Sequence, residues 1–193
     1  MKNRTKIAVF ASGNGSNFQA IADAIQAGQL DAEIKLVVTD RTKAYVLERA
    51  KKEGVSCFAF QPADYDSKQS YEAMLKEKLQ SLEVEWVVLA GFMRLIGPVL
   101  LEAYENRIVN IHPSVLPAFP GKDAIGQTMA AGAATAGATV HYVDAGMDTG
   151  NIIAQQSFPV NGRDRDAVEK EIHAIEHQLY PATLQKMFNS SSS

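Results

Sequence analysis

The sequence has a single cysteine and no long apolar run. Cys57 cannot form a disulfide within the chain, and its apolar, strand-like surroundings predict a buried side chain rather than a nucleophile. A chain without internal disulfides suits a reducing compartment. The N-terminal apolar run, residues 7–11, is shorter than the apolar segment of a secretion signal, and no stretch approaches the length of a membrane span. We therefore expect a cytoplasmic protein.

The sequence also lacks a strong charge of either sign. Its 19 Lys and Arg residues and 22 Asp and Glu residues give a formal net charge of -3. This near balance excludes the dense positive field with which proteins gather nucleic acids or anionic membranes. Any anionic ligand must be held locally by a few placed groups. We expect small-molecule partners, with no nucleic acid and no membrane.

The order of apolar and amphipathic segments predicts an α/β fold. The length of 193 residues fits one domain, and the alternation of the two kinds of segment is typical of βαβ units. We predict a doubly wound, mainly parallel sheet of about seven strands with helices on both faces. The domain should span residues 1–188, followed by a disordered serine tail over 189–193. The predicted strands are 6–11, 32–39, 57–60, 86–92, 107–111, 139–143 and 152–160. The predicted helices are 16–27, 41–53, 67–82, 98–105, 123–132 and 164–188, the last kinked or split by Pro181.

The turn after the first predicted strand, residues 11–17, reads Ala-Ser-Gly-Asn-Gly-Ser-Asn. Gly13 and Gly15 match the start of the dinucleotide fingerprint G-x-G-x-x-G, but Phe18 stands at the third glycine, which normally lets the helix pack closely on the strand. What remains is a helix start that offers backbone N–H groups to an anion. The turn favours a single terminal phosphate over a pyrophosphate. From this stretch alone, a tight turn without a ligand stays open.

Residues 173–177 spell H-x-x-E-H, a pattern found in zinc peptidases. Such a site needs a third protein ligand, and the other histidines, His112 and His141, lie in distant segments without a supporting Glu-rich helix. We expect this segment to form the polar face of an amphipathic helix, with no metal.

A third polar group combines Asn110 and His112, at the end of a predicted strand, with the segment 141–150. Ligands of open α/β sheets collect at the carboxyl ends of strands, so these two alternating residues should face one crevice. Asn is a neutral donor for an oxyanion, His exchanges a proton near neutral pH, and Asp148 can pair with the His. Because no nucleophile elbow is present, the set predicts acyl transfer without a covalent enzyme intermediate. The residues alone leave open that these are unrelated polar side chains in loops.

Several motifs in this order resemble the phosphoribosylglycinamide formyltransferases, the folate-dependent formyltransferases of purine synthesis. The resemblance covers essentially the whole chain up to the serine tail. The matching segments are 12–17, 89–94, 110–117, 137–143, 148–150 and 176–181. It implies the formyltransferase fold, with 10-formyltetrahydrofolate as co-substrate, glycinamide ribonucleotide as substrate and no metal. Relatives differ in oligomeric state, so the chain is expected to be a monomer or a homodimer.

The resemblance also implies roles for residues, by position. The residues that match the family's catalytic set are Asn110, His112 and Asp148. The residues that match its phosphate-binding turn are Gly15, Ser16 and Asn17. Glu176 matches a residue that contacts the glycinamide end of the substrate. The residues that match the folate site are Lys68, Met93, Arg94, Leu95, Val143, Ala145, Gly146 and Met147.

Residue chemistry and resemblance together predict direct attack of the substrate amine on the formyl carbon. Three other functions share features with this sequence: a 10-formyltetrahydrofolate hydrolase, a methionyl-tRNA formyltransferase, and a non-catalytic folate or nucleotide binding module. The hydrolase would not need a phosphate turn, and the tRNA enzyme would favour a basic surface. A binding module would not need Asn110, His112 and Asp148 together. The sequence therefore favours the transferase.

Overall fold

The computed structural model describes residues 3–191 and is built around one seven-stranded sheet. The strands are β1 (Thr5–Phe10), β2 (Ala32–Thr39), β3 (Cys57–Ala59), β4 (Trp86–Leu89), β5 (Ile108–His112), β6 (Thr135–Tyr142) and β7 (Ile152–Pro159). The helices are α1 (Ser16–Gln26), α2 (Val46–Lys52), α3 (Lys68–Ser81), α4 (Pro98–Ala103), α5 (Ala124–Ala130) and α6 (Arg165–Ser191), with a 3-10 turn at Pro62–Asp64.

The strand order in the sheet is β3-β2-β1-β4-β5-β6-β7. The first five strands in this order pair in parallel, and β6 and β7 continue the sheet in antiparallel pairing. The predicted doubly wound, mainly parallel sheet is confirmed. The order reverses between β1 and β4, and ligands of such sheets bind outside the carboxyl ends of the strands at this switch point.

Apolar side chains cover both faces of the sheet. Along β1, Ile7 and Val9 belong to a core that includes residues of α1 and α6, whereas Ala8 and Phe10 belong to a second core with residues of α3 and α4. Alternate residues of a strand point to opposite faces, so a strand covered on both sides must be apolar throughout. This explains the continuous apolar runs from which the strands were predicted.

Most strand bounds differ from the prediction by at most one residue, but two strands differ by three or more residues at one end. β4 ends at Leu89 rather than at residue 92, because Gly91 adopts a left-handed backbone with φ +81 that leaves the extended conformation. β6 begins at Thr135 rather than at 139. Its first residues pair with β7, where a Cβ on Gly137 would lie 2.1 Å from the carbonyl oxygen of Gln156. A glycine at this place lets the strands approach, and glycine is a weak sequence signal for a strand.

The prediction that Cys57 is buried was wrong. Cys57 is exposed, because it begins the three-residue strand β3 at the edge of the sheet, where one side has no neighbouring strand. The apolar residues beside Cys57 in sequence suggested a packed side chain, but this short edge strand leaves Cys57 exposed.

The predicted split at Pro181 does not occur, and α6 continues through it. The preceding Tyr180 is fully buried, and its hydroxyl donates to the carbonyl of Leu89 at 2.7 Å, which ties the helix to the sheet. The backbone of residues 189–191 continues α6, and residues 192–193 of the predicted tail lie outside the described residues. Within residues 3–191, no helix combines the length and apolarity that crossing a membrane requires.

Candidate active site

A crevice of about 320 Å³ opens where β4 and β5 end. It gathers many of the residues predicted to be functional, namely Met93, Arg94, Leu95, Asn110, His112, Val143, Gly146, Met147 and Asp148. It does not gather all of them. The predicted residues outside its lining are Gly15, Ser16, Asn17, Lys68, Ala145 and Glu176. The crevice therefore unites the predicted catalytic residues with most of the predicted folate residues, while Lys68, Ala145, Glu176 and the predicted phosphate turn lie outside its lining.

At the floor of the crevice, Asn110, His112, His141 and Asp148 form what we call the polar cluster. His112 is 6% exposed, and its Nδ1 lies 3.4 Å from Oδ2 of Asp148. The other ring nitrogen, Nε2, lies 2.9 Å from the carbonyl oxygen of Phe119. Both nitrogens thus face oxygen acceptors, so an imidazolium with hydrogen on each nitrogen can donate to both. The arrangement suits a histidine that carries positive charge during a reaction.

Asp148 occupies the strained loop between β6 and β7. Its backbone is left-handed, with φ +56, which is uncommon outside glycine and is often found at functional sites. The Gly121 N–H donates to Oδ2 of Asp148 at 2.8 Å. Burial raises the pKa of Asp148, but the hydrogen bonds from His141 and Gly121 and the charge of His112 outweigh it, so the pKa lies below its ordinary value. Asp148 is therefore a carboxylate at neutral pH.

A second aspartate, Asp144, lines the crevice and shapes the same loop through local hydrogen bonds. Oδ1 of Asp144 accepts hydrogen bonds from the Gly146 N–H at 2.9 Å and from the Thr149 hydroxyl at 2.6 Å. The hydrogen bond from the Thr149 hydroxyl is the main reason why the pKa of Asp144 lies below its ordinary value. These local bonds close a tight turn. The turn presents Asp148 to the two histidines.

His141 was not among the predicted catalytic residues. It lies opposite Asn110 in the antiparallel pairing of β5 with β6, and it is 2% exposed. Its Nε2 lies 3.3 Å from the Asn110 amide nitrogen and 3.5 Å from Oδ1 of Asp148, while Nδ1 donates to the carbonyl of Tyr142 at 2.9 Å. Asp148 therefore lies between two histidines. The only sequence signal for His141 was that it begins the segment 141–150, which was predicted to lie near Asn110 and His112.

The glycine turn, residues 12–17, precedes α1. Gly15 caps the helix in a left-handed conformation (φ +81), and a Cβ there would lie 2.6 Å from Cγ2 of Val46, so no other residue fits without movement. No side chain caps α1, and the first N–H groups of a helix have no partner within it. The amide oxygen of Asn17 is buried without a hydrogen-bond partner among the described residues. Phe18 is fully buried in the core, which agrees with the broken dinucleotide fingerprint.

Glu176 lies on α6, 4% exposed, and its carboxylate is 2.8 Å from Nδ1 of His173. The hydrogen bond with Glu176 raises the pKa of His173, whereas burial lowers the pKa of the neighbouring His177. Glu169, two helical turns earlier on the same face, lines the crevice. Helix α6 thus runs from the crevice towards Glu176.

His177 and Ser16, a residue of the glycine turn, line one groove between α1 and α6.

No three His, Cys, Asp or Glu side chains within residues 3–191 are grouped to hold a metal. The expected absence of a metal stays a prediction.

The fold and the polar cluster define an α/β protein with acid–base and oxyanion-stabilising groups at the carboxyl edge of its sheet. The formyl transferase family model matches residues 5–184, and the chain belongs to that family. The predicted resemblance to the formyltransferases is confirmed.

Individual relatives agree with this assignment. The chain is 50% identical over 183 residues to the phosphoribosylglycinamide formyltransferase of Bacillus subtilis (strain 168), which covers 94% of each chain. It is 41% identical over 184 residues to the trifunctional purine biosynthetic protein adenosine-3 of Drosophila pseudoobscura pseudoobscura, spanning 94% of this chain and 14% of that longer protein. The structure is similar to glycinamide ribonucleotide transformylase 1 from Geobacillus kaustophilus, with a TM-score of 0.93, 55% identity and coverage of 95% of this chain and 98% of that chain.

Proposed function

We propose that this enzyme transfers the formyl group of 10-formyltetrahydrofolate to the amino group of glycinamide ribonucleotide in purine synthesis. The observation that carries the proposal is the polar cluster: a partly buried carboxylate between two buried histidines, with an amide donor beside them, at the floor of an otherwise largely apolar crevice. The relatives named above support the choice of substrates, since their names state this activity.

In the proposed reaction, the neutral amine attacks the formyl carbon directly. The Asn110 amide donates a hydrogen bond to the oxyanion of the tetrahedral intermediate, and the positive charge of the protonated His112 ring stabilises it. The usual nucleophiles of acyl-enzyme intermediates are serine and cysteine, and among the described residues the crevice lining contains neither. Direct transfer is therefore the simpler route.

The reaction also moves one proton from the attacking nitrogen to N10 of the folate. Oδ2 of Asp148 lies 3.4 Å from Nδ1 of His112, where the carboxylate can pair with the ring when the ring carries positive charge. We infer that the carboxylate, directly or through water, takes up the proton of the amine and helps to deliver one to N10. The C–N bond to N10 breaks as the new amide C–N bond forms, so tetrahydrofolate and the formylated ribonucleotide are the products.

The ribonucleotide is proposed to extend along α6. The N–H groups of Gly15, Ser16 and Asn17 would bind its terminal phosphate, as the uncapped start of α1 supports. Rotating the Asn17 amide by half a turn would place its N–H2 group at the position of the unpartnered oxygen. Glu176 would contact the glycinamide end.

The folate is proposed to occupy the crevice. Met93, Leu95 and Met147 expose 65%, 47% and 46% of their surface and line it, so they offer apolar contact to a flat ring. Nε of Arg94 donates a hydrogen bond to Asp40 at 3.0 Å, so this side chain is already paired. The backbone groups of the segment are therefore proposed to bind the edge of the ring. The remaining folate residues proposed from the resemblance are Lys68, Val143, Ala145 and Gly146. A Cβ on Gly97 would lie 3.1 Å from Cε of Lys68, so Lys68 borders the segment that carries Met93 and Leu95.

One assay tests the proposal. The purified enzyme is incubated with 10-formyltetrahydrofolate, with and without glycinamide ribonucleotide, and the release of tetrahydrofolate is followed. We expect release only when the ribonucleotide is present. Release without it would instead indicate a hydrolase, and no release in either case would contradict an enzymatic role. A cytoplasmic location, a monomer or homodimer, and the absence of nucleic-acid and membrane partners stay predictions.

A further inference from the structure

The segment from 91 to 97, which we call the folate loop, connects β4 to α4 without regular secondary structure. It carries Met93 and Leu95, whose apolar side chains are exposed rather than packed. Phe92 and Ile96 of this loop pack into the core, but the exposed stretch between them must be ordered by other contacts. Two buried carboxylates outside the crevice lining, Asp40 and Glu72, supply such contacts.

Asp40 holds the first half of the folate loop. It directly follows β2 and is 8% exposed. Its Oδ2 accepts a hydrogen bond from Nε of Arg94 at 3.0 Å, and its Oδ1 accepts one from the Ser12 hydroxyl at 2.6 Å. The same hydroxyl accepts the Met93 N–H at 2.9 Å. Asp40 therefore fixes two consecutive loop residues, one directly and one through Ser12.

Glu72 holds the other end. This residue of α3 is 1% exposed, and its carboxylate accepts the N–H groups of Gly97 at 2.6 Å and of Leu100 at 3.4 Å. A Cβ on Gly97 would lie 2.8 Å from Oε1 of Glu72, so the glycine is what allows the carboxylate to approach the backbone this closely. Glu72 thus fixes the point where the loop enters α4.

The glycine turn has anchors of its own. The Val46 N–H donates to the carbonyl of Gly13 at 3.0 Å, and Arg49 donates to the carbonyl and side-chain oxygens of Asn14, each at 2.8 Å. None of these bonds involves Glu72, and Asp40 contacts only the first residue of the turn, through the Ser12 hydroxyl. Loss of either carboxylate should therefore disturb the folate loop much more than Gly15, Ser16 and Asn17.

We propose that Asp40 and Glu72 are positioning residues that hold the folate loop in the shape that receives the folate. The proposal rests on the proposed function, because it takes the crevice as the folate site. Neither carboxylate acts on the reacting atoms. Their removal weakens folate binding, leaves ribonucleotide binding in place, and changes kcat less than it changes the folate KM.

The kinetic test uses Asp40→Ala and Glu72→Ala, with Asp40→Asn and Glu72→Gln as conservative partners. We expect each alanine variant to raise the folate KM by about ten-fold or more, since hydrogen bonds to charged groups are among the stronger ones, with an unchanged ribonucleotide KM. Asn and Gln keep one acceptor oxygen and should restore part of the loss. Glu33→Gln, which alters an exposed carboxylate paired with Lys35, is the matched control and should leave both KM values unchanged.

A second measurement does not depend on catalysis. Amide hydrogen exchange of the ligand-free enzyme should become faster at Met93 in Asp40→Ala and at Gly97 in Glu72→Ala, each with little change at the other end. Equal increases in both KM values, or a lower Tm with unchanged kinetics and unchanged exchange at these amides, would overturn the inference. Wild-type enzyme that fails to release tetrahydrofolate would refute the proposed function instead, and the exchange pattern would still decide whether the carboxylates order the loop.

Discussion

The polar cluster and the glycine turn lie at the same edge of the sheet but are constructed differently. The turn consists of consecutive residues whose shape depends on Gly15 and on the start of α1. The polar cluster joins β5, β6 and the loop before β7, and its side chains contact one another. A local backbone motif suits the binding of a fixed anion, whereas chemistry needs side chains brought together in a buried place. Variants of the polar cluster should therefore lower kcat, whereas variants of the glycine turn should raise the ribonucleotide KM.

The largest expected effect is at the polar cluster. Replacing Asn110 by Ala removes one proposed oxyanion donor, and such losses lower kcat by roughly 100-fold to 1,000-fold. Steady-state kinetics at saturating concentrations of both substrates would measure it, with Asn151→Ala, an exposed asparagine, as control. A kcat close to that of the wild type would remove Asn110 from the mechanism.

The glycine turn should respond in KM instead. Gly15→Ala places a Cβ 2.6 Å from Val46 in a left-handed backbone, so the turn must shift and the ribonucleotide KM should rise by about ten-fold, with kcat largely kept. Gly28→Ala is the matched control, because Gly28 is also left-handed (φ +73) but has nothing within 4 Å of the added Cβ. Both variants should lose some stability. If both changed the ribonucleotide KM alike, backbone strain rather than the turn would be responsible.

A smaller effect is expected on the pH dependence of stability when Asp148 loses its charge but keeps its size. Its folded pKa lies below the ordinary value of 3.8, so the ionised form stabilises the fold above that pH, and this contribution disappears as the pH falls through the lowered pKa. Asp148→Asn lacks the contribution while tolerating the same left-handed backbone. Between about pH 5 and pH 2, urea unfolding should show a smaller loss of stability for the variant than for the wild type. Parallel pH curves would contradict the lowered pKa.

The smallest effect concerns the pair on α6. Glu176 raises the pKa of His173 above 6.5, so the pair stabilises the fold below pH 6.5 and loses this contribution as the pH rises through the folded pKa. Glu176→Gln should lower the pKa of His173 in an NMR titration, and Glu169 should keep part of the shift. Glu171→Gln, on the same helix but paired with Arg163, is the control. An unchanged His173 titration in Glu176→Gln would show that the pair is not formed in solution.

Much of the fold could be predicted because its signals are local. The alternation of apolar runs and amphipathic segments places all seven strands, since strands buried on both faces must be apolar. The errors fall where burial depends on distant neighbours. Cys57 has apolar neighbours in sequence, yet the edge of the sheet exposes it. A proline often splits a helix, yet α6 continues through Pro181, beside the buried Tyr180 that bonds to the sheet, and a kink at Pro181 stays a prediction.

By itself, the sequence determined the glycine turn, the placement of Asn110 and His112 on one side of β5, and the family, because each depends on residues close together in the chain or on motif order. Only the tertiary structure decided that His141 stands opposite Asn110 and that Asp148 lies between two histidines. It also decided that Asp40 and Glu72 hold the folate loop. These contacts join strands and helices far apart in sequence, and strand pairing and packing, rather than local preference, set which side chains meet.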